Sequence, residues 1–245
     1  MFGMKGKSIL IVGGASGLGR ATAEMAAQSG AHVHIASRSE SKLAQTAGQI
    51  GHGTQYSVVD MTDEAAVTTW AAALPEIDYL VISASSAAHG PFATAETGPL
   101  RDMFDAKFFG PYVTARAVLP KLRKGGAIAL FSGVLSRRPG ANCAGLGAVN
   151  GAVEALARAM ALELGPDLRV NCISPGMVRT EAYAAMPDDA REAMYQSTGA
   201  SLPVGRVGEA SEIAQTVLAI LTNGYLTGQV IDIDGGHMIR QYATR

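Results

Sequence analysis

A glycine-rich turn near the N-terminus constrains the fold of this chain more than any other stretch. It follows an apolar segment of strand length, residues 8–12, and precedes a stretch with the pattern of an amphipathic helix, residues 17–29. The glycines of the turn are Gly14, Gly17 and Gly19. Glycines at this spacing permit a tight turn, a close approach of the backbone to a pyrophosphate, and close packing of the helix on its strand.

The start of the predicted helix adds an electrostatic reason for binding an anion. Its first N–H groups have no partner inside the helix, and the helix dipole places positive partial charge there. The turn therefore predicts a dinucleotide site, and the alternative is a glycine turn with a structural role alone. The residues predicted to bind the dinucleotide here are Gly14, Ser16, Gly17, Leu18 and Gly19.

Apolar runs of strand length alternate with helical patterns along the whole chain. The predicted strands are residues 8–12, 32–37, 54–59, 78–82, 126–131, 168–173 and 229–233. The predicted helices are residues 17–29, 39–50, 62–74 with Thr62 as N-cap, 99–123, 141–164, 187–197 and 209–222. This alternation predicts an α/β fold, with a single Rossmann-type domain over residues 1–245 and a doubly wound parallel sheet of about seven strands.

Composition and charge exclude several classes of function. The 245 residues are 48% hydrophobic and carry a net charge of −1, which argues against a nucleic-acid or membrane partner. The two cysteines, Cys143 and Cys172, have neither pair spacing nor a His/Cys cluster, so no disulfide framework and no metal site are predicted. The first apolar run, residues 8–12, is too short for a signal peptide or a membrane span. We therefore expect a cytoplasmic protein that acts on a small molecule.

Several further motifs resemble those of the classical short-chain dehydrogenase/reductase family. In the C-terminal half they are Asn171-Cys-Ile-Ser-Pro-Gly176 followed by Thr180, Leu226-Thr-Gly-Gln229, and Asp232-Ile-Asp-Gly-Gly236. With the glycine turn and Asp60 they stand in the family's order, and the resemblance covers essentially the whole chain.

The resemblance implies a position for each of these motifs. Asp60 is expected near the adenine of the dinucleotide. Pro175, Gly176 and Thr180 are expected at its nicotinamide end, and residues 177–202 are expected to form a substrate loop. The resemblance also implies a homo-oligomer, a tetramer or a dimer, built on the two long predicted helices.

The residues after the second predicted strand bear on the choice of dinucleotide. An acidic side chain there would bind the ribose 2′-hydroxyl of NAD(H) and repel a 2′-phosphate. This chain has the neutral Ser37 and the cationic Arg38, which offers a bidentate grip on a phosphate. The pattern favours NADP(H) over NAD(H), and the alternative is that Arg38 is a solvated loop residue.

The positions of the family's catalytic residues hold other residue types. The family uses a Tyr, a Lys four residues later, a Ser about thirteen residues earlier, and an Asn on the preceding helix. Here the corresponding positions hold Leu146, Asn150, Gly133 and Lys107. Leu146 has no transferable proton, so the family's usual proton relay is predicted to be absent. The amide of Asn150 can still form a hydrogen bond with a ribose.

Three side chains near the predicted site are candidates for catalysis in place of the missing relay. Lys107 is a candidate acid or electrostatic stabiliser, or else a helix-surface lysine. Ser132 is a candidate contact to a substrate oxygen, or else a structural hydroxyl. His89 is a candidate for proton transfer, or else a solvated loop histidine. Cys143 and Tyr183 are expected near the same cleft.

Three functions are compatible with these residues. The first is an atypical NADP(H)-dependent oxidoreductase for a small, mostly apolar substrate, such as an activated C=C bond or a quinone-like ring, that does not need a tyrosine as proton donor. The second is a non-catalytic NADP(H)-binding sensor or partner subunit. The third is an isomerase or lyase that uses the same pocket.

Overall fold

The structure, a computed structural model, describes residues 3–83 and 86–240; residues 1–2, 84–85 and 241–245 of the predicted domain lie outside it. The strands are β1 (Ser8–Val12), β2 (His32–Ser37), β3 (Gln55–Val58), β4 (Ile77–Ile82), β5 (Leu122–Phe131), β6 (Arg169–Pro175), β7 (Val178–Arg179), β8 (Gly208–Glu209) and β9 (Val230–Ile233). Seven of them form a parallel sheet in the order β3-β2-β1-β4-β5-β6-β9, while β7 pairs with β8 apart from it. The predicted single-domain α/β fold is confirmed.

Helices cover both faces of the sheet. They are α1 (Gly17–Gln28), α2 (Glu40–Ile50), α3 (Glu64–Ala72), α4 (Thr97–Phe104), α5 (Gly110–Val118), α6 (Ala144–Leu164), α7 (Asp188–Ala200) and α8 (Ala210–Thr222). Along β1, Ile9 and Ile11 pack towards α1, α2 and α8, while Leu10 and Val12 pack towards α3, α5 and α6. The strand is apolar at every one of these positions because both of its faces are buried.

The prediction of one continuous helix over residues 99–123 is wrong. The structure divides it into α4, a π-helical turn (Asp105–Phe109), α5 and a 3₁₀ turn (Leu119–Lys121). Pro120 lacks a backbone N–H and cannot continue an α-helix, so the helix ends before it. The fifth strand then begins at Leu122, which pairs with Ile77, and not at residue 126 as predicted.

The predicted N-cap of α3 is also wrong. Asp63, not Thr62, precedes the first helical residue, and its carboxylate accepts a hydrogen bond of 3.0 Å from the Ala66 N–H. The Thr62 hydroxyl donates instead to Asp60, at 2.7 Å. The carboxylate of Asp63 is the cap because it reaches the N–H three residues later.

The order of the strands places a crevice beside β1. The chain moves outward from β1 to β3 and then crosses back, so that β4 lies on the other side of β1. The loops after β1 and β4 therefore diverge at the carboxyl end of the sheet, where such folds bind ligands. The segment 177–202, which contains β7 and α7, lies against this crevice, since Thr180 and Glu181 contact the start of α1.

Candidate functional site

The turn between β1 and α1 leaves no room for side chains at two of its glycines. A Cβ atom at Gly14 would lie 2.7 Å from the Ile35 side chain, and one at Gly19 would lie 2.3 Å from the carbonyl oxygen of Gly13. Both distances are far shorter than a van der Waals contact. The absence of side chains therefore allows α1 to pack directly on the end of β1.

Gly17, the first residue of α1, is constrained in a different way. Its φ of +54° lies in the left-handed region, which favours glycine, while a Cβ there would make only ordinary van der Waals contacts with Thr180 and Glu181. Ser16 is the N-cap but its side chain makes no capping hydrogen bond, and Leu18 packs against the core. The N-terminus of α1 therefore presents backbone N–H groups and positive partial charge to the crevice.

Gly13 belongs to the turn although the sequence pattern did not single it out. Its φ is +86°, and its N–H donates a hydrogen bond of 2.8 Å to the Ala36 carbonyl. Its own carbonyl oxygen is the atom that a side chain at residue 19 would meet. The available signal was a glycine directly after the last strand residue, where the chain must reverse.

Three predicted binding residues meet at the carboxyl ends of β2 and β3. The Ser37 hydroxyl is buried and has no hydrogen-bond partner within residues 3–83 and 86–240, while Arg38 is exposed. Asp60 accepts hydrogen bonds from the Thr62 N–H and hydroxyl, and these two bonds, with a smaller contribution from nearby Arg38, hold the pKa of its carboxyl below the usual range. An unpartnered hydroxyl beside an exposed guanidinium suits a polar, anionic group.

The residues after β6 approach the same crevice. A Cβ atom at Gly176 would lie 2.9 Å from Cα of Asp234, so this glycine allows the chain after β6 to pass closely beside the segment after β9. Pro175 is the last residue of β6. Thr180 lies over the glycine turn, with its Cβ 3.7 Å from the position of a Cβ at Gly17. The fold thus brings together residues that are far apart in the sequence.

Lys107 lies inside the protein, so the alternative of a helix-surface lysine is wrong. Lys107 is 6% exposed, and its Nζ donates a hydrogen bond of 3.2 Å to the carbonyl oxygen of Ser132. It lies in the π-helical turn between α4 and α5, a local geometry that is frequent at functional sites. No carboxylate lies within ion-pair distance of it in the part of the chain that the structure describes. Burial lowers the pKa of Lys107 to about 8.

The side chain of Asn150 binds the backbone carbonyl that follows the one bound by Lys107. Asn150 is 2% exposed, and its Nδ2 donates a hydrogen bond of 3.2 Å to the carbonyl oxygen of Gly133. Its Oδ1 is buried without a hydrogen-bond partner among the described residues. Leu146 lies one helical turn earlier on α6 and is half-buried. The consecutive carbonyls of Ser132 and Gly133 thus hold Lys107 and Asn150. Within the described residues, the amide oxygen of Asn150 is an acceptor without a donor.

The Ser132 hydroxyl belongs to a buried polar network. It donates a hydrogen bond of 3.1 Å to Oε1 of Glu154, which also accepts one of 2.5 Å from the Ser136 hydroxyl. The other carboxylate oxygen of Glu154 lies 3.6 Å from Nε of Arg137, whose guanidinium forms two hydrogen bonds with Asp232. This geometry favours the structural interpretation of Ser132, because its hydrogen atom is already donated inside the core.

His89 lies at the rim of the crevice with the two other side chains expected there. It is exposed, and its Nδ1 is 3.5 Å from Sγ of Cys143, the residue before α6. Tyr183 is half-buried, and burial, with smaller contributions from Tyr195 and Cys143, raises the pKa of its phenol. The loop after β4, the start of α6 and the segment after β7 therefore meet at one edge of the site.

Two features of the described residues bear on metal binding and on membrane insertion. Within residues 3–83 and 86–240, no group of three or more His, Cys, Asp and Glu residues has an arrangement that could hold a metal ion. In the same ranges no helix combines the length and the apolar character that crossing a membrane requires.

Comparisons with known proteins agree with this architecture. Residues 13–238 match a family model described as enoyl-(acyl carrier protein) reductase. The chain is 33% identical to an uncharacterised short-chain type dehydrogenase/reductase of Sinorhizobium fredii, over 96% of this chain and 99% of that protein. It is 31% identical to the 2-keto-3-deoxy-L-fuconate dehydrogenase of Xanthomonas campestris, over 95% of this chain and 80% of the relative.

A solved structure of a small-chain dehydrogenase in complex with NADPH is also similar. It is 37% identical to this chain and superposes with a TM-score of 0.80, over 95% of this chain and 98% of its own. The residues that the family model matches, 13–238, include the glycine turn and the carboxyl ends of β5 and β6. The chain therefore belongs to the short-chain dehydrogenase/reductase family of oxidoreductases.

Proposed function

We propose that this protein is an NADP(H)-dependent oxidoreductase that acts on a small, mostly apolar substrate without the family's Tyr/Lys proton relay. The observation that carries the proposal is the buried ammonium group of Lys107, which has a hydrogen bond to the Ser132 carbonyl but no carboxylate partner among the described residues. A buried cation is costly unless a negative charge compensates it. We infer that a negative charge develops beside it during the reaction.

The residues of the crevice fit a bound NADP(H) at three points. The start of α1 suits the pyrophosphate, and the unpartnered Ser37 hydroxyl with Arg38 suits a 2′-phosphate. Oδ1 of Asn150, which has no hydrogen-bond partner in the described part of the chain, suits a ribose hydroxyl. The complete proposed set is Gly14, Ser16, Gly17, Leu18, Gly19, Ser37, Arg38, Asp60, Asn150, Pro175, Gly176 and Thr180. The NADPH in the similar solved structure supports the class of cofactor.

The side chains around the reacting centre decide which substrates suit the site. The cofactor supplies or accepts the hydride. Leu146, at the position of the family's tyrosine, has no proton to give. Lys107, with its pKa lowered to about 8, is mostly protonated at pH 7 and can stabilise an oxygen that becomes negative or give it a proton. Enones and quinones suit such a site, because hydride addition to them leaves a delocalised oxyanion.

Segment 177–202 is the proposed substrate loop, and the protein is proposed to be a cytoplasmic homotetramer or homodimer. The segment contributes Tyr183, which packs edge-to-face on Tyr195 with 5.9 Å between ring centroids. Exposed aromatic side chains at Phe109 and Tyr112 support association through the α5 side of the molecule.

Titration of the purified protein with NADPH and NADH tests the proposal first, followed by a turnover screen of ketones, quinones and enones with the tighter ligand. We expect NADPH to bind more tightly, and an enone or quinone to be reduced where a simple ketone is not. Binding of neither dinucleotide would refute the proposal. Efficient reduction of a simple ketone would refute its claim about the missing proton relay.

A second function, a non-catalytic NADP(H)-binding sensor or partner subunit, is favoured by the network around Ser132. The hydroxyl of Ser132 donates to Glu154 inside the core, and Leu146 offers no proton. Under this alternative, NADPH binds and Lys107 is a structural group. Turnover by the wild type that is lost in a Lys107→Met variant would exclude it.

A further inference from the structure

A carboxylate of the protein itself lies at the proposed phosphate site. Oε2 of Glu181 accepts a hydrogen bond of 2.8 Å from the N–H of Gly17, the first residue of α1. Glu181 begins a short 3₁₀ turn, Glu181–Tyr183, within the proposed substrate loop. The contact joins the loop that would cover the substrate to the N–H groups that would bind the pyrophosphate.

The chemistry of this contact matches that of a phosphate. A carboxylate oxygen and a phosphate oxygen are both anionic acceptors, and both are stabilised by the N–H groups and the dipole at a helix N-terminus. No lysine or arginine forms an ion pair with Glu181 within residues 3–83 and 86–240. The Gly17 N–H is thus the partner that holds this carboxylate in place.

The loop on both sides of Glu181 is fixed to α7. Arg179 forms two hydrogen bonds with Glu192, at 2.6 and 2.9 Å, and its guanidinium lies 4.6 Å from the centroid of the Tyr195 ring. On the other side, Tyr183 packs on the same ring. Because these contacts tie the turn to α7, displacement of Glu181 acts on the turn and α7 together, while the pairing of β7 with β8 holds the start of the segment.

Space for such a movement exists beside the contact. A cavity of about 520 Å³ lies between α1 and α7, and its lining includes Gly17, Arg20, Glu181 and Tyr195. The carboxylate can therefore leave the N-terminus of α1 without displacing the packed core.

We propose that Glu181 is an internal competitor for the dinucleotide phosphate. In the absence of dinucleotide it holds the substrate loop on the glycine turn, and the pyrophosphate displaces it on binding. The loop is then released at the moment when the cofactor is in place. This inference rests on the proposed NADP(H) binding.

The first test compares Glu181→Ala with Asp189→Ala, which removes one negative charge from an exposed residue of the same segment. We expect NADPH to bind Glu181→Ala about tenfold more tightly than the wild type, the factor for a contact that is closed about 90% of the time. We expect the NADPH affinity of Glu181→Gln to lie between those of the wild type and Glu181→Ala, since a neutral amide oxygen accepts a weaker hydrogen bond. Asp189→Ala should stay within about twofold of the wild type.

Hydrogen exchange without any ligand gives a second readout. Exchange in residues 177–202 should be faster in Glu181→Ala than in the wild type and in Asp189→Ala, because the hydrogen bond that holds the loop is gone. The proposal would be overturned if residues 177–202 exchanged equally fast in the wild type and in Glu181→Ala. It would also be overturned if the wild type and all variants bound NADPH with equal affinity. Either result would leave the proposed function intact. If neither the wild type nor any variant binds NADPH, the proposed function fails, and the proposed competition between Glu181 and the phosphate fails with it.

Discussion

The glycine turn and the start of α6 face the same crevice but are constrained in different ways. In the turn, a side chain at Gly14 or Gly19 would overlap neighbouring atoms, so the residue type is imposed by space. At the α6 side, Lys107 and Asn150 are buried polar residues, each held by a hydrogen bond to one of two adjacent carbonyls. The turn is thus held by the exclusion of side chains, whereas Lys107 and Asn150 are held by polar contacts that a single substitution can remove.

Gly19→Ala tests the steric side of this comparison and should have the largest effect. Its Cβ would lie 2.3 Å from the Gly13 carbonyl oxygen and 2.4 Å from Oγ of Ser83, so the backbone of the turn must shift. We expect a loss of about 3 kcal/mol in the free energy of unfolding, with loss of NADPH binding. Urea unfolding measures the first effect and fluorescence titration the second.

Gly48→Ala is the matched control, because a Cβ at Gly48 in α2 meets no atom within 4 Å. It should stabilise the protein by about 0.5–1 kcal/mol, since alanine is the better helix former. If both alanines are tolerated equally, the turn is not sterically constrained.

Lys107→Met tests the polar side and should stabilise the protein while greatly slowing turnover. Burial lowers the folded-state pKa of Lys107 to about 8 from an unperturbed 10.5, so holding the charge costs about 3 kcal/mol at pH 7. Between pH 8 and 10.5 the unfolded state binds more protons than the folded one, and the wild type gains stability. The advantage of the variant should therefore be full below pH 8 and disappear by about pH 10.5.

Urea unfolding at pH 7 and pH 10 measures this change, with Lys42→Met on the exposed face of α2 as control. The same Lys107→Met protein should lose about a hundredfold in kcat, the usual contribution of a positioned proton donor. A destabilised variant that keeps its activity would reverse our interpretation of the lysine.

Arg38→Ala sharpens the comparison within the dinucleotide site. Arg38 is exposed beyond the end of β2, so no packing depends on it. We expect about a tenfold weaker affinity for NADPH, with the affinity for NADH and the free energy of unfolding unchanged, because only the 2′-phosphate loses a charged partner. Parallel titrations with the two dinucleotides measure it, and equal losses for both would contradict the assignment.

Asn150→Leu should have the smallest effect of these substitutions on NADPH affinity. The substitution removes one satisfied donor and one orphaned acceptor, so we expect a change of less than about 1 kcal/mol and a several-fold weaker NADPH affinity. The matched control is Asn171→Leu, where both amide atoms are bonded, to the Leu226 carbonyl at 2.8 Å and the Gln229 N–H at 3.1 Å. That variant should cost about 2–3 kcal/mol. Equal costs would mean that the Asn150 acceptor has a partner after all.

Local patterns predicted much of the fold. The bounds of β1 and β2 were predicted to the residue, because a buried apolar run bounded by glycine or polar residues is a local signal. The division of residues 99–123 was not predicted, since an apolar helical period continues through the π-helical turn and only Pro120 marks its end. At the site, the burial of Lys107 and the bond from Ser132 to Glu154 depend on contacts between distant elements, which no local pattern encodes.

By itself the sequence determined the α/β class, the glycine turn and the side chains that follow each parallel strand, because each of these depends on neighbours in the chain. Only the tertiary structure decided that Lys107 is buried, that the amide oxygen of Asn150 has no donor among residues 3–83 and 86–240, and that the Glu181 carboxylate lies on the N–H of Gly17. Each of these facts is set by groups that meet through packing. The energy of a charge or a polar atom depends on what surrounds it, and folding decides those surroundings.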